Sequence, residues 1–388
     1  MISISRTILL LASIYTTIIS SFNTLEDMQK YAALYDEYPD KDNGDWANPE
    51  YNHFYKSMKP GFFRSLAQTF HIIEQPLWEP ALFKHRLELL MKQFPLNKQE
   101  TVLGTTGVCQ CMVITDLHGA FHSLIRILTD LEGKKVIDNN LKVLQKNVHI
   151  IFDGNVIDGS PYGLETLTVL CMLRERNPSQ VWHIQGGYER LQRWHTKSLA
   201  SEITERLSGV FHNSSHVRKI LDTYFQGLPQ AWYVVGTSGA ARISSVGFND
   251  AIEDWLGNFF QSLQPEHITV YSYTEHKKTN PQLPIKVVIE GRHSWNTIVV
   301  AQPLLLIKSL SDGDMKLPMT WQLSSTQTRK YRQLYRFFYD AYAIIDFKEK
   351  FDESVLTLRA RDVRHAGPFI NMDCYNLVKG GKNKSCSQ

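Results

Sequence analysis

Three short turns carry most of the residues with chemistry to offer. They read TDLHG, FDGNVIDGSPYGLE and IQGGYE, and each follows a short apolar run. In the first, Asp116 and His118 stand two apart, so an extended backbone would aim both side chains to one side. A carboxylate and an imidazole at that spacing make half a site for a divalent transition metal. The competing structural reading has Asp116 capping the next helix and His118 simply packing. The second turn offers Asp153, Asn155 and Asp158, and the third offers Tyr188 and Glu189 behind two glycines. One such turn is a modest signal, whereas three on successive strands are a stronger one.

The elements that must position these turns alternate. CMVIT, VHIIF and VWHIQ are short, β-rich apolar runs, and the helical stretches GAFHSLIRILTDLEG and YGLETLTVLCMLRERN separate them. Strand–helix–strand–helix–strand predicts an α/β fold with a parallel or mixed sheet covered by helices. Ligand sites in such sheets lie beyond the carboxyl ends of the strands, where all three turns fall. Further strands are expected at AWYVV, ARISSV, IKVVIE, NTIVVA, MTWQLS, YAIIDF and SVLTLRA, with a helical insertion around 250–263. Upstream, PGFFRSLAQTFHII and EPALFKHRLELLMKQF have helical spacing. DKDNGD imitates a calcium loop, but its Gly comes one position early and Tyr51 stands where the bidentate Glu belongs, so it reads as a solvated turn.

Composition bounds the rest. The 388 residues are 43% hydrophobic and 21% charged, with a net charge of only +3, which argues against a nucleic-acid groove. Residues 1–21 hold one Arg and then an apolar run from Ile8 to Ile19, which predicts a signal peptide and export; the alternative is an uncleaved membrane anchor. The five cysteines match neither a disulfide scaffold nor a zinc ribbon.

The ordered turns resemble the calcineurin-like metallophosphoesterases, and within them the phosphoprotein phosphatases. That family carries D-x-H-G, then G-D-x-x-D-R-G-P-x-S-L-E, then R-G-N-H-E. TDLHG is similar to the first motif, GNVIDGSPYGLETL to the second, with Pro161, Leu164 and Glu165 in register, and QGGYE to the third. Later, Ser245 to Gly247 falls at the family's H-G-G turn, VVIEGRHSW resembles its R-A-H segment and TWQLSSTQTRKY its S-A-P-N-Y segment. The resemblance implies an αββα metallophosphoesterase sandwich of two mixed sheets with a helical N-terminal extension. The expected divisions are 1–21, 22–105, the phosphoesterase-like domain 106–360 and a tail 361–388.

It also implies a centre in which two metal ions, about 3.5–4 Å apart, clamp a phosphate and activate water. Asp116 and His118 would hold the first metal. The bridging Asp falls on Asn155, the second metal's Asn on Gly187, and its two His on Ser245 and His293. The general-acid His falls on Tyr188, its carboxylate orienter on Asp158, and the phosphate-gripping Arg on Gly159, while Glu189 is kept.

An Asn oxygen brings no negative charge to bridge two dications, Gly cannot replace a bidentate Arg, and a phenol is poorly matched to proton transfer at neutral pH. One divalent ion at most (Mn, Fe or Zn) is expected, through Asp116, His118, Asn155 and His293, with Asp153 as a possible substitute ligand if a bulge at Gly154 brings it forward. Three functions stay open. The first is a phosphatase-like protein with impaired catalysis that binds a partner or phosphorylated ligand. The second is an active phosphoesterase with a remodelled site. The third is an exported interaction protein that uses the fold as scaffold.

Overall fold

A computed structural model describes residues 22–35, 37, 78–93, 108–190, 192–207, 214–229, 232–236, 239–244, 285–291, 305–308, 319–323, 339–349, 353–362 and 367–376. Among these, the chain forms α1 (Leu25–Leu34), α2 (Pro80–Gln93), β1 (Cys109–Ile114), α3 (Phe121–Gly133), β2 (Val148–Asp153), α4 (Gly163–Arg176), β3 (Val181–Ile184) and a short α5 (Gly187–Arg190). A 3-10 turn, Arg193–Thr196, leads to α6 (Ser198–Leu207) and α7 (Ser214–Gln226). The strands that follow are β4 (Trp232–Gly236), β5 (Gly239–Ser244), β6 (Ile285–Gly291), β7 (Leu305–Lys308), β8 (Met319–Leu323), β9 (Tyr339–Phe347), β10 (Val355–Asp362) and β11 (Ile370–Asn376).

The strands make two mixed sheets, in the orders β11-β10-β9-β1-β2-β3 and β4-β5-β6-β8-β7. β1, β2 and β3 run parallel, and β9 lies antiparallel against β1. Alternation along the strands explains how both faces of the first sheet are buried. On β1, Cys109, Cys111 and Val113 join Trp232 of β4 and Ile243 of β5 in the core between the sheets. Met112 and Ile114 point the other way, into the core under the helices, as do Val148, Ile150 and Phe152 of β2. The sandwich of two mixed sheets is therefore present. NTIVVA, the insertion at 250–263 and PGFFRSLAQTFHII lie outside the described residues.

The helices that precede β1 share this core. Thr24 caps α1 through a reciprocal box with Asp27, each side chain accepting from the other's backbone N–H. Phe22, Leu25, Met28 and Tyr31 are buried, with Phe22 stacked on Phe121 of α3 and Tyr31 edge-on to it. Phe83, Leu87 and Leu90 of α2 enter the same cluster. At the other end, the boundary expected at 360 falls inside β10. β11 pairs with β10 as the sheet's edge strand, so the ordered sheet continues to Asn376 where a tail was expected.

Candidate active site

The three turns meet at the carboxyl ends of β1, β2 and β3. The first two are laced together by backbone bonds that continue the parallel ladder: Asp116 N–H to Gly154 O, His118 N–H to Asn155 O, and Gly119 N–H to Val156 O. Neither turn is extended. Asp116, His118, Asn155 and Asp158 take left-handed φ values of 52°, 49°, 49° and 69°, and Gly119 and Gly154 take 73° and 68°. Non-glycine residues rarely adopt this conformation, and its clustering here marks a loop pair whose shape is imposed by tertiary bonds. The extended geometry expected for Asp116 and His118 is thus corrected: the left-handed turns, not strand alternation, bring the two side chains together.

Asp116 and His118 are almost wholly buried, at 0% and 1% exposure. His118 Nδ1 lies 3.1 Å from the Asp158 carbonyl oxygen, which can only accept, so Nδ1 carries the hydrogen. In the neutral ring this leaves a lone pair on Nε2, 3.9 Å from Asp116 Oδ1. Those two atoms could share a cation. Asn155, however, donates from Nδ2 to Asp116 Oδ1 at 2.8 Å, while its Oδ1 accepts the Tyr188 backbone N–H at 3.2 Å. The amide orientation is fixed by its neighbours, because a backbone N–H can only donate and a carboxylate can only accept.

Glu189 pins the second turn. Its carboxylate accepts the Asn155 N–H at 3.1 Å and the Val156 N–H at 2.8 Å. Burial pushes its pKa up to about 7, against the pull of these bonds. The third turn presses close to the second at Gly186, where an added Cβ would overlap the Asn155 backbone nitrogen and Glu189 Oε2. A Cβ at Gly187, by contrast, would rest 3.7 Å from Asn155 Oδ1 in ordinary contact.

Asp158 ties the second turn to α6. Its Oδ1 accepts from Ser198 Oγ at 3.2 Å and from the Leu199 N–H at 3.1 Å, so it caps the start of α6. Ser198 Oγ in turn accepts the Gly159 N–H at 3.0 Å. Burial raises the Asp158 pKa to about 6, opposed by the Leu199 and Ser198 bonds and by the charges of Lys197 and His195. Tyr188 sets its ring edge-on to His118 at 5.2 Å. Its backbone N–H makes the bond to Asn155 that helps shape the turn.

The structure therefore unites Asp116, His118, Asn155, Tyr188 and Glu189, with Asp158 at the margin. Among the described residues no three His, Cys, Asp or Glu side chains come together as metal ligands, so Asp153 does not complete a set with Asp116 and His118. Asp153 closes β2, and the extended strand ends there at the left-handed Gly154 and Asn155. Ser245 and His293 lie outside the described residues. The roles of Gly186, Ser198 and the Glu189 clamp were not legible in the sequence. The one local cue is Lys197-Ser198 ahead of the periodic Leu199, Ile203 and Leu207, a helix-start pattern.

Two mixed sheets with the turns gathered at the ends of β1, β2 and β3 are the arrangement expected of a metallophosphoesterase sandwich. Residues 110–291 match the family model of the calcineurin-like phosphoesterases. A 105-residue stretch is 27% identical to the serine/threonine-protein phosphatase PP1-1 of Saccharomyces cerevisiae, covering 27% of this chain and 28% of that one. A stretch of the same length is 27% identical to the serine/threonine-protein phosphatase SIT4 of Candida albicans, covering 27% and 29%. The match thus spans under a third of the length of these relatives. Among solved structures, a serine/threonine phosphatase from Saccharomyces cerevisiae with similarity to human PP5 aligns over 75% of this chain and 89% of its own, at 11% identity and a TM-score of 0.43. The chain is thus similar to the calcineurin-like phosphoesterases over residues 110–291 and, over a shorter stretch, to serine/threonine-protein phosphatases.

That family generally uses divalent metals, so the donor set can be tested for fit. Asp116 Oδ1 and His118 Nε2 supply two donor atoms. The position that should add a bridging carboxylate supplies amide hydrogens, and the position that should add an Asn supplies Gly187. The described residues do not fit a two-metal centre.

Proposed function

We propose that this chain is a phosphatase fold whose hydrolysis is lost or feeble and which acts by binding a partner or a phosphorylated ligand. The observation that carries the reading is the 2.8 Å bond from Asn155 Nδ2 to Asp116 Oδ1. It places a neutral donor where the chemistry of the family calls for a shared anion, and no step through paired metals follows from these residues. Two further features support it. Asp158 is engaged by Ser198 and Leu199 at the start of α6, and Gly159 offers no guanidinium to grip a phosphate. The curated relatives are named as serine/threonine-protein phosphatases, which makes a phosphorylated protein the natural class of ligand. Export through residues 1–21 belongs to the same proposal and rests on the sequence pattern alone.

A second reading, a phosphoesterase with a single ion, is favoured by the 3.9 Å approach of His118 Nε2 to Asp116 Oδ1. Hydrolysis of an aryl phosphate and of a phosphopeptide in excess Mn²⁺ separates the two, with Asp116→Asn as control. Turnover indistinguishable from the control is expected. Turnover that disappears in Asp116→Asn would replace the first reading with the second.

A further inference from the structure

Asp116 Oδ1 is the atom on which the site converges. Asn155 Nδ2 donates to it at 2.8 Å, and His118 Nε2 lies 3.9 Å away. A cation taken up between Asp116 Oδ1 and His118 Nε2 would have to share that oxygen with amide hydrogens, which carry partial positive charge. Turning the amide over offers no escape. It would set the NH₂ group against the Tyr188 N–H, donor against donor, and lose the bond now made at 3.2 Å. Nor can the backbone easily swing aside. Asn155 N–H is held by Glu189 at 3.1 Å, its carbonyl accepts the His118 N–H at 2.8 Å, and its φ of 49° is already in the left-handed region.

We propose that the Asn155 amide is a built-in substitute for a cation: it satisfies the Asp116 carboxylate from within, ties the turns after β1, β2 and β3 together, and keeps divalent metal off the Asp116–His118 pair. This rests on the reading of the chain as a phosphatase fold with its hydrolysis lost or feeble, and it names the residue that holds the site in that state. It also gives Asn155 a role opposite to that of a ligand. As a ligand, the residue would aid metal binding through Oδ1; as a substitute, it opposes metal binding through Nδ2.

The two roles predict opposite signs for one substitution. Mn²⁺ binding to the full chain is measured by calorimetry for the native protein, Asn155→Ala, Asn155→Asp and Asp116→Asn. Removing the amide in Asn155→Ala should tighten Mn²⁺ binding at the pair, by about tenfold if one charge-assisted hydrogen bond is displaced. Asn155→Asp should tighten it further, because it brings a third anionic or imidazole donor to Asp116 and His118. In chelator, Asn155→Asp should melt below the native protein, since two carboxylates then face each other in a buried site. Mn²⁺ should raise its melting temperature and leave that of the native protein unchanged.

Weaker Mn²⁺ binding in Asn155→Ala than in the native protein would overturn the proposal, as would native binding that matches Asn155→Asp and is lost in Asp116→Asn. A measurement on the native chain alone guards against variants that fail to fold. Amide hydrogen exchange at Tyr188 should be unaffected by millimolar Mn²⁺; faster exchange would mean that the metal has pulled Asn155 off its acceptor role, and would sink the idea. These outcomes are separable from the functional reading, which stands or falls on Asp116-dependent turnover whatever the sign at Asn155.

Discussion

Two buried carboxylates, Glu165 and Asp116, show how differently one protein can neutralise the same charge. Glu165, on α4, is fully buried and receives a fork of two bonds from Arg206 of α6, at 2.5 and 3.0 Å, plus the Tyr31 hydroxyl of α1 at 2.6 Å. The Arg206 guanidinium also lies 4.3 Å over the Trp78 ring, whose Nε1 donates to Thr168. Asp116 is equally buried, yet the bond on its Oδ1 comes from a neutral amide. The first cluster uses a permanent cation to lock three helices together. In the second, at the ends of the strands, the Asn155 amide donates to Asp116 Oδ1, where the family resemblance would lead one to expect a metal. Two more carboxylates of these turns are spent on backbone: Asp158 on the start of α6 and Glu189 on the turn after β2.

The sharpest way to break this comparison is to remove the permanent cation. Arg206→Met leaves Glu165 buried with the Tyr31 hydroxyl as its remaining strong donor, and should cost about 3–5 kcal/mol in urea denaturation, the range found when one partner of a buried pair is deleted. A cost below about 1 kcal/mol would mean that the helical cluster is no better organised than the site.

The next largest effect belongs to the site. Gly186→Ala drives a Cβ into the Asn155 backbone nitrogen and Glu189 Oε2, and it also comes within 2.8 Å of Asn155 Oδ1. Backbone cannot yield as a flexible side chain would, so a loss of about 3 kcal/mol is expected, at the upper end of ordinary overpacking. Thermal melts of the full chain would show it, and an unchanged midpoint would mean that the turns after β2 and β3 are not in register as described.

Glu202 of α6 sits beside the helical cluster and sharpens the comparison through pH. It accepts the Leu164 N–H at 3.0 Å, and burial, followed by the charge of Glu165, pushes its pKa well above the ordinary value of 4.5. The folded state therefore holds a proton that the unfolded chain releases as pH rises past about 4.5. Stability should fall with pH above that point, with a slope of at most about 1.4 kcal/mol per pH unit for one group. Glu202→Gln keeps an acceptor without the charge and should flatten the urea midpoint between pH 5 and 8. An unaltered slope would assign the pH dependence to other groups.

Much of this architecture was legible because it is local. The runs CMVIT, VHIIF and VWHIQ became β1, β2 and β3, and EPALFKHRLELLMKQF became α2. What stayed hidden depends on distant partners. The Asn155 orientation is dictated by the N–H of Tyr188, 33 residues on, and the Asp158 cap by Ser198 and Leu199, 40 and 41 residues away. The left-handed φ values at Asp116 and His118 had no glycine to announce them. β11 was missed because its pairing with β10 is what makes it a strand; in the sequence it is a short, mixed segment near the end.

The smallest effect tests the comparison most finely, because it concerns the neighbour of the most sensitive glycine. Gly187 begins α5, does not adopt a left-handed φ, and would place a Cβ at ordinary contact distance from Asn155 Oδ1. Gly187→Ala should therefore be tolerated and should stabilise the fold by about 0.4–1 kcal/mol, through the lower entropy of the unfolded chain. A loss of stability would mean that the turn after β3 is as tightly pressed at Gly187 as at Gly186. A gain would show that the position corresponding to the family's metal-binding Asn has room for a side chain. Its lack of a ligand would then be a matter of which residue is encoded there, with the backbone geometry still permitting one.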